Sequence, residues 1–256
     1  MAGNLSFEAA NTVSNSISEL KSSIARLASG VRITSAADDA AGLAVRELIR
    51  ADIATMRQSQ RNLSDGASML QTAEGAAQAV NKNLIRMSEL ATQASSPTYS
   101  LAQKRIMQQE FDQLAADNTR ITQQAQFNQT PLFTEGRIDI AAGDGTTISF
   151  NTQPLTMSAT DFISGPLTAA SNVKAAINQT SSYRGLLGSA IQRLESAGEV
   201  LSIQAENLLA ADSRIADADI AVEVSQMTAR NLKFSVAAAS QVHAGSIAQI
   251  TQLLMG

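Results

Sequence analysis

A chain of 256 residues allows one large domain or two or three small ones. A formal charge of −4 with no basic stripe argues against general nucleic-acid binding, which needs clustered Lys and Arg. The absence of cysteine excludes disulfides and thiolate metal sites. With 4% aromatics and no Trp, aliphatic side chains must build the core, which suits thin helix–helix seams better than a ring-lined enzyme pocket.

The first residues, MAGNLSFE, carry neither a basic segment nor an apolar run, so no secretory signal is expected. No stretch approaches about 18 uninterrupted apolar residues, so no membrane-spanning helix is expected and no membrane partner. The first predicted helix covers 4–29 and stops near Gly30. Ala10, Val13, Ile17, Leu20, Ile24, Leu27 and Val31 step along it by threes and fours. That period of about 3.5 marks a coiled-coil seam rather than the wider stripe of a globular helix. A polar link follows, in which Ser35 and Asp38 resemble a capping box with Asp in place of Glu or Gln.

A long second helix is predicted over 43–95. Its seam runs through Ile49, Ile53, Met56, Gln60, Leu63, Ala67 and Leu70, then resumes at Ala73, Ala77, Val80, Leu84, Met87 and Ala91. The step from Leu70 to Ala73 breaks the alternation, a heptad discontinuity. At 1.5 Å per residue such a helix is a rod of roughly 75 Å, too long for a compact single-core domain. After Pro97 a third helix runs to about Gln126, with Met107, Phe111, Leu114, Asn118, Ile121 and Ala125 as its seam.

The region 127–166 differs. Apolar and polar residues alternate from Arg137 to Phe150 on both sides of Asp144-Gly145, which predicts a β-hairpin. A fourth helix is expected over about 167–212, with Leu187, Ile191, Leu194, Leu201 and Leu208 as its spine. The stretch Asp212–Asp219 reads as a junction. The last helix runs to the C-terminus, with Ile220, Val224, Met227, Asn231, Phe234 and Ala238 at seam spacing. The layout is palindromic: helix, link, long helices, hairpin, long helix, link, helix. The fold class expected is therefore mainly α, a long antiparallel coiled-coil helical rod with a small β-hairpin region at its distal end. Residues 1–42 with 213–256 would form a terminal coiled-coil domain, and 43–212 a helical rod domain carrying the hairpin region 127–166.

Chemistry is sparse. His243 is the single histidine and reads as a partly buried packing residue on the last helix. One His and no Cys cannot assemble an HExxH zinc site or a Ser-His-Asp triad, so no catalytic residue, metal or cofactor is expected. Asp38 and Asp39 diverge by about 100° on a helix, so local capping is the better reading than a shared metal site. Gly143-Asp144-Gly145 is a turn without the Lys of a phosphate loop. Arg86 and Glu89, three apart, read as a solvated helical pair.

Several blocks in order carry a resemblance. The stretch Leu27–Ala44 (LASGVRITSAADDAAGLA) resembles the N-terminal signature of bacterial flagellin. Arg61–Gly75 (RNLSDGASMLQTAEG), Ser88–Gln93 (SELATQ) and Gln126–Leu132 (QFNQTPL) follow in the family's order. Gly188–Ser196 (GSAIQRLES), Glu206–Ile215 (ENLLAADSRI) and Gln249–Met255 (QITQLLM) look like its C-terminal signature. The likeness spans nearly the whole chain, in a short form without the usual outer variable domains.

The resemblance implies a subunit that polymerises into the flagellar filament. The terminal helices would pair as the inner tube, and Val13, Ile17, Leu20, Ile24, Leu27, Ile220, Val224, Met227 and Phe234 would supply the polymerisation seams. It implies export through the flagellar type III channel and an extracellular place in the flagellum. The partners implied are other copies of the chain in a helical homopolymer, an export chaperone on the C-terminal helices, the filament cap and the hook-associated proteins. It also implies recognition by a vertebrate flagellin-sensing Toll-like receptor, through positions matching Arg86, Leu90 and Glu110, with Leu90 as a surface anchor between charges. A hook–filament junction protein shares such terminal helices, but the density of flagellin-type blocks at both ends argues against it. A chemoreceptor-like signalling coiled coil would show long heptads and also a membrane span or sensor module, which this sequence does not present.

Overall fold

The computed structural model describes residues 2–143, 145–155, 163 and 165–255, the backbone alone at 2–6, 9, 244 and 247–255. Among the described residues five α-helices carry most of the chain: α1 (Ala2–Ser29), α2 (Ala40–Ala94), α3 (Leu101–Gln124), α4 (Pro166–Ala216) and α5 (Ile220–Met255). Between α3 and α4 lie β1 (Gln126–Phe127) with β2 (Thr130–Pro131), and β3 (Gly136–Gly143) with β4 (Thr146–Thr152), each pair an antiparallel ladder. The fold is mainly α, as the seams predict. Among the described residues no helix is long and apolar enough to cross a membrane.

The helix ends are set by local hydrogen bonds. Gly30 closes α1 with φ +69, a left-handed conformation glycine adopts without strain. The N-cap of α2 is Asp39, whose carboxylate accepts from the Gly42 amide at 2.8 Å. Ser35 and Asp38 form no capping box. Asp38 Oδ2 instead accepts from the amides of Thr34 (3.1 Å) and Ser35 (2.9 Å), folding the link into a turn one step before the helix. A true capping box opens α3, where Ser100 and Gln103 exchange side chain–backbone bonds. Asp219 caps α5 by accepting from the amides of Ala221 and Val222. The predicted junction at 212–219 shrinks to Asp217–Asp219, because Asp212 stays helical in α4 and faces Arg46 at 3.3 Å.

Two compact units emerge, 1–53 with 206–256, and 54–205, with boundaries inside α2 and α4. In the second unit, Val80, Leu84, Met87, Leu90 and Ala91 of α2 pack with Phe111 and Ala115 of α3 and Ala169 and Val173 of α4. A second cluster joins Leu63, Leu70, Ala73 and Ala77 of α2 to Tyr183, Leu187 and Leu194 of α4, and roofs them with Leu132, Phe133 and Ile140. A two-stranded hairpin is marginal alone in water, so β3–β4 depends on this docking. Its register pairs Ile138 with Phe150 and Ile140 with Ile148, which places four apolar side chains on the face that meets the helices. Gly143 and Gly145 flank its turn with φ +93 and +72; Asp144 lies outside the described residues, as do 156–162 and 164 of the 127–166 region.

The β1–β2 ladder is a tighter hairpin that alternation does not reveal. Its two-residue loop, Asn128-Gln129, has φ of 47 and 66. Two consecutive positive φ values fit the turn type whose twist suits a tight hairpin, usually signalled by Asn-Gly. Here Gln stands where Gly would, and the signal is lost.

Candidate assembly surface

In the first unit α1 runs antiparallel to α5. The two links beside this pair are stitched together: the Ala218 amide donates to the Gly30 carbonyl at 3.0 Å, and the Arg32 amide to that of Ala216 at 2.6 Å. Val31 and Asp217 form an isolated antiparallel bridge. The side chain of Arg46 is buried and donates to Asp212 and to the Ile33 carbonyl.

The seam residues divide. Val13, Leu20 and Leu27 of α1 and Met227 and Phe234 of α5 are half-buried along the contact. Ile17, Ile24, Ile220 and Val224 are exposed, Ile24 to 51%. On α5 the face that meets α1 is shifted from the purely apolar one. Glu223 is buried at 7% exposure, next in line come Met227, Arg230 and Phe234, and Ala237 completes the stripe. A search for apolar periodicity picks Ile220 and Val224 because it discards charges. Glu223 is buried because two guanidiniums neutralise it, Arg26 at 3.2 Å and Arg230 at 3.6 Å. Arg230 also donates to the buried hydroxyl of Ser23. The sequence signal for this cluster is a carboxylate and a guanidinium seven residues apart on one helix.

Away from the contact the pair carries exposed apolar side chains among its polar ones. Phe7 and Ile24 on α1, and Leu232, Val236 and Val242 on α5, are each more than half exposed. An isolated exposed Leu is ordinary, but a run of them along both helices of one pair marks a surface made to be covered. His243 is exposed on α5 rather than partly buried.

The positions Arg86, Leu90 and Glu110 do not form one surface patch. Arg86 is exposed and holds Glu110 of α3 at 2.7 Å and Glu89 at 3.1 Å, as the spacing of Arg86 and Glu89 predicts for the latter. These two carboxylates hold the guanidinium even more firmly protonated, Glu110 foremost. Leu90 is 1% exposed and belongs to the core with Met87 and Phe111. Four residues carry a helix about 40° past a full turn, which takes Leu90 round the edge of α2 into the bundle. The apolar side chain that does face outward there is Ile85, in a shallow cleft with Ser88, Glu89 and Ile177.

Known proteins share this architecture and sequence. Residues 3–137 match the bacterial flagellin N-terminal helical region, and residues 170–254 the bacterial flagellin C-terminal helical region. The chain belongs to the bacterial flagellin family. It is 37% identical to the flagellin of Halalkalibacterium halodurans over 81% of each chain. It is 38% identical to the phase 1 flagellin of Salmonella naestved over 59% of this chain, but that match spans only 30% of the Salmonella protein. The crystal structure of Bacillus cereus flagellin superposes with a TM-score of 0.51 at 27% identity, covering 59% of this chain and 94% of that one. A hook-associated protein described as putative, from Vibrio parahaemolyticus, shares the fold alone, with a TM-score of 0.51 at 12% identity. As a flagellin the chain is a structural subunit of the flagellar filament, and the α1–α5 pair with its uncovered apolar sides is the surface to examine for assembly.

Proposed function

We propose that the outward faces of α1 and α5 drive polymerisation of this flagellin into an extracellular filament. The observation that carries the reading is the pairing of α1 with α5 while Ile24, Leu232 and Val236 stay more than half exposed on the two helices. Burying an apolar side chain of that size contributes up to about 1.5–3 kcal/mol, and a polymer buries such side chains on every subunit. The helices alone are thin apolar stripes with no thick core behind them, which explains why the terminal pair gains its stability on assembly.

Other partners follow from the same surface. An export chaperone would cover the C-terminal helix before assembly, and the cap and hook-associated proteins would present matching helices at the filament ends. Export through the type III channel would deliver the chain to the growing tip. The Toll-like receptor contact would use Arg86 and Glu110, with Leu90 acting from beneath as the core residue that fixes α2 at that point. Arg86→Ala should lower activation of a flagellin-sensing receptor reporter and leave filaments unchanged; an unchanged reporter response would remove Arg86 from that contact.

The test of the assembly reading is Ile24→Asp combined with Val236→Asp. Both side chains lie off the α1–α5 contact, so the two helices still pair. Seeded growth followed by light scattering should be abolished, and growth at the rate of the unaltered chain would contradict the reading.

A further inference from the structure

We infer that the small cavity between α2, α3 and α4, beside Leu155, is a binding site for a single water molecule held by the hydroxyl of Thr180. The site lies wholly in the second unit and does not depend on the assembly reading. Val80 and Leu84 of α2 form its apolar wall. Thr119 of α3 and Gln179 and Thr180 of α4 bring polar groups to the other side.

Thr180 is the residue that calls for a ligand. It is only 2% exposed, and among the described residues nothing hydrogen-bonds to its hydroxyl. A buried hydroxyl left without a partner is destabilising. Its oxygen is nevertheless not sealed away. Among the described residues the side-chain oxygen that is both sealed from solvent and unpartnered is that of Asn81. The Thr180 oxygen therefore borders space that a water can enter, and at this depth that space is the cavity.

Size selects the ligand. Room for the centre of a water-sized sphere amounts to about 10 Å³. One water needs roughly 10–15 Å³ on that measure, so the cavity takes one water and nothing larger. A buried water also needs about two to four polar partners, and an apolar void of this size would stay dry. The Thr180 hydroxyl can donate or accept. The Thr119 hydroxyl donates to the Ala115 carbonyl at 3.0 Å, which leaves its oxygen able to accept. The Gln179 amide nitrogen gives one hydrogen to the Pro154 carbonyl at 3.3 Å, which leaves it a second. That same bond anchors the chain leaving β4, next to Leu155. Bound among these groups, the water bridges α3 to α4 and completes the hydrogen bonding of Thr180.

The test is Thr180→Val, which exchanges the hydroxyl for a methyl of the same shape at nearly equal helix propensity. A wet and a dry cavity predict opposite signs. With water bound, valine deprives it of a partner, and the melting temperature should fall by about 2–4 °C. With a dry cavity, valine removes an unpartnered buried hydroxyl, and the melting temperature holds or rises. Oxygen-17 relaxation dispersion of the solvent around the dissociated full chain counts the waters held for longer than nanoseconds. That count should drop by one in Thr180→Val and stay the same in Thr180→Ser, which keeps the hydroxyl. A high-resolution crystal structure of the unaltered chain gives the answer without a variant, and an ordered water within hydrogen-bonding distance of Thr180 is expected. A melting temperature that holds or rises in Thr180→Val, an unchanged water count in that variant, a lost water in Thr180→Ser, or a dry cavity in the crystal overturns the inference.

Discussion

Gly66 decides how closely β3–β4 sits on α2. A Cβ at that position would overlap the Ile140 side chain, which is itself buried. In an exposed helix, replacing Gly with a larger residue relieves a backbone entropy cost. Here Gly66→Val should lower stability by about 1–3 kcal/mol through overpacking, read as a lower urea midpoint. Leu90 and Arg86 make a second contrast. Leu90→Ala removes a fully buried side chain and should cost about 2–5 kcal/mol, whereas Arg86→Ala at an exposed ion pair should change stability by less than about 1 kcal/mol. A thermal melt of the two variants side by side separates them, and equal shifts would contradict the placement of Leu90. Asp38 gives a pH dependence. The Thr34 hydroxyl first, then the Ser35 and Thr34 amides, hold its carboxyl below its ordinary value of 3.8. A depressed carboxylate stabilises fully above its unfolded pKa, and that contribution is lost as pH falls through the lower, folded value. The melting temperature should therefore drop between pH 5 and pH 2 by less in Asp38→Asn than in the unaltered chain, as calorimetry at two pH values would show.

At the scale of elements, the five helices and the larger hairpin were legible because each obeys one period. The seam of α2 is buried at Leu63, Leu70, Ala73, Ala77, Val80, Leu84 and Met87 and half-buried at Ala67, on both sides of the heptad discontinuity. The inward face of α5 was not legible from apolar spacing, since it buries Glu223 beside the half-buried Arg230 and leaves Ile220 outside. The cap of α2 was misplaced by the same kind of local competition: two adjacent aspartates are available, and Asp38 is taken by the turn before it. The Asn128-Gln129 turn escaped because its conformation usually demands glycine. Leu20 lies half-buried between the helices of the terminal pair. Leu20→Asp places an unpaired charge there and should give monomers without filaments in negative-stain images; filaments of ordinary length would show that α1 does not pair through this face.

At the scale of the whole molecule, both chain ends belong to one compact unit, and the middle of the chain to another. The palindromic order of elements put the boundaries at 42/43 and 212/213, in the links between helices, whereas the compact units divide inside α2 and α4. The apolar seams pointed to the two helices that pair, α1 and α5, while the charges that sit between them were hidden by their polarity. The account rests on the terminal pair as the driver of polymerisation. The direct measurement is electron microscopy of purified, dissociated protein after seeding, the full chain beside residues 36–256, which lack α1. Long filaments from the full chain and none from the shortened one are the predicted result. Filaments of equal length from residues 36–256 would place the driving surface elsewhere in the molecule.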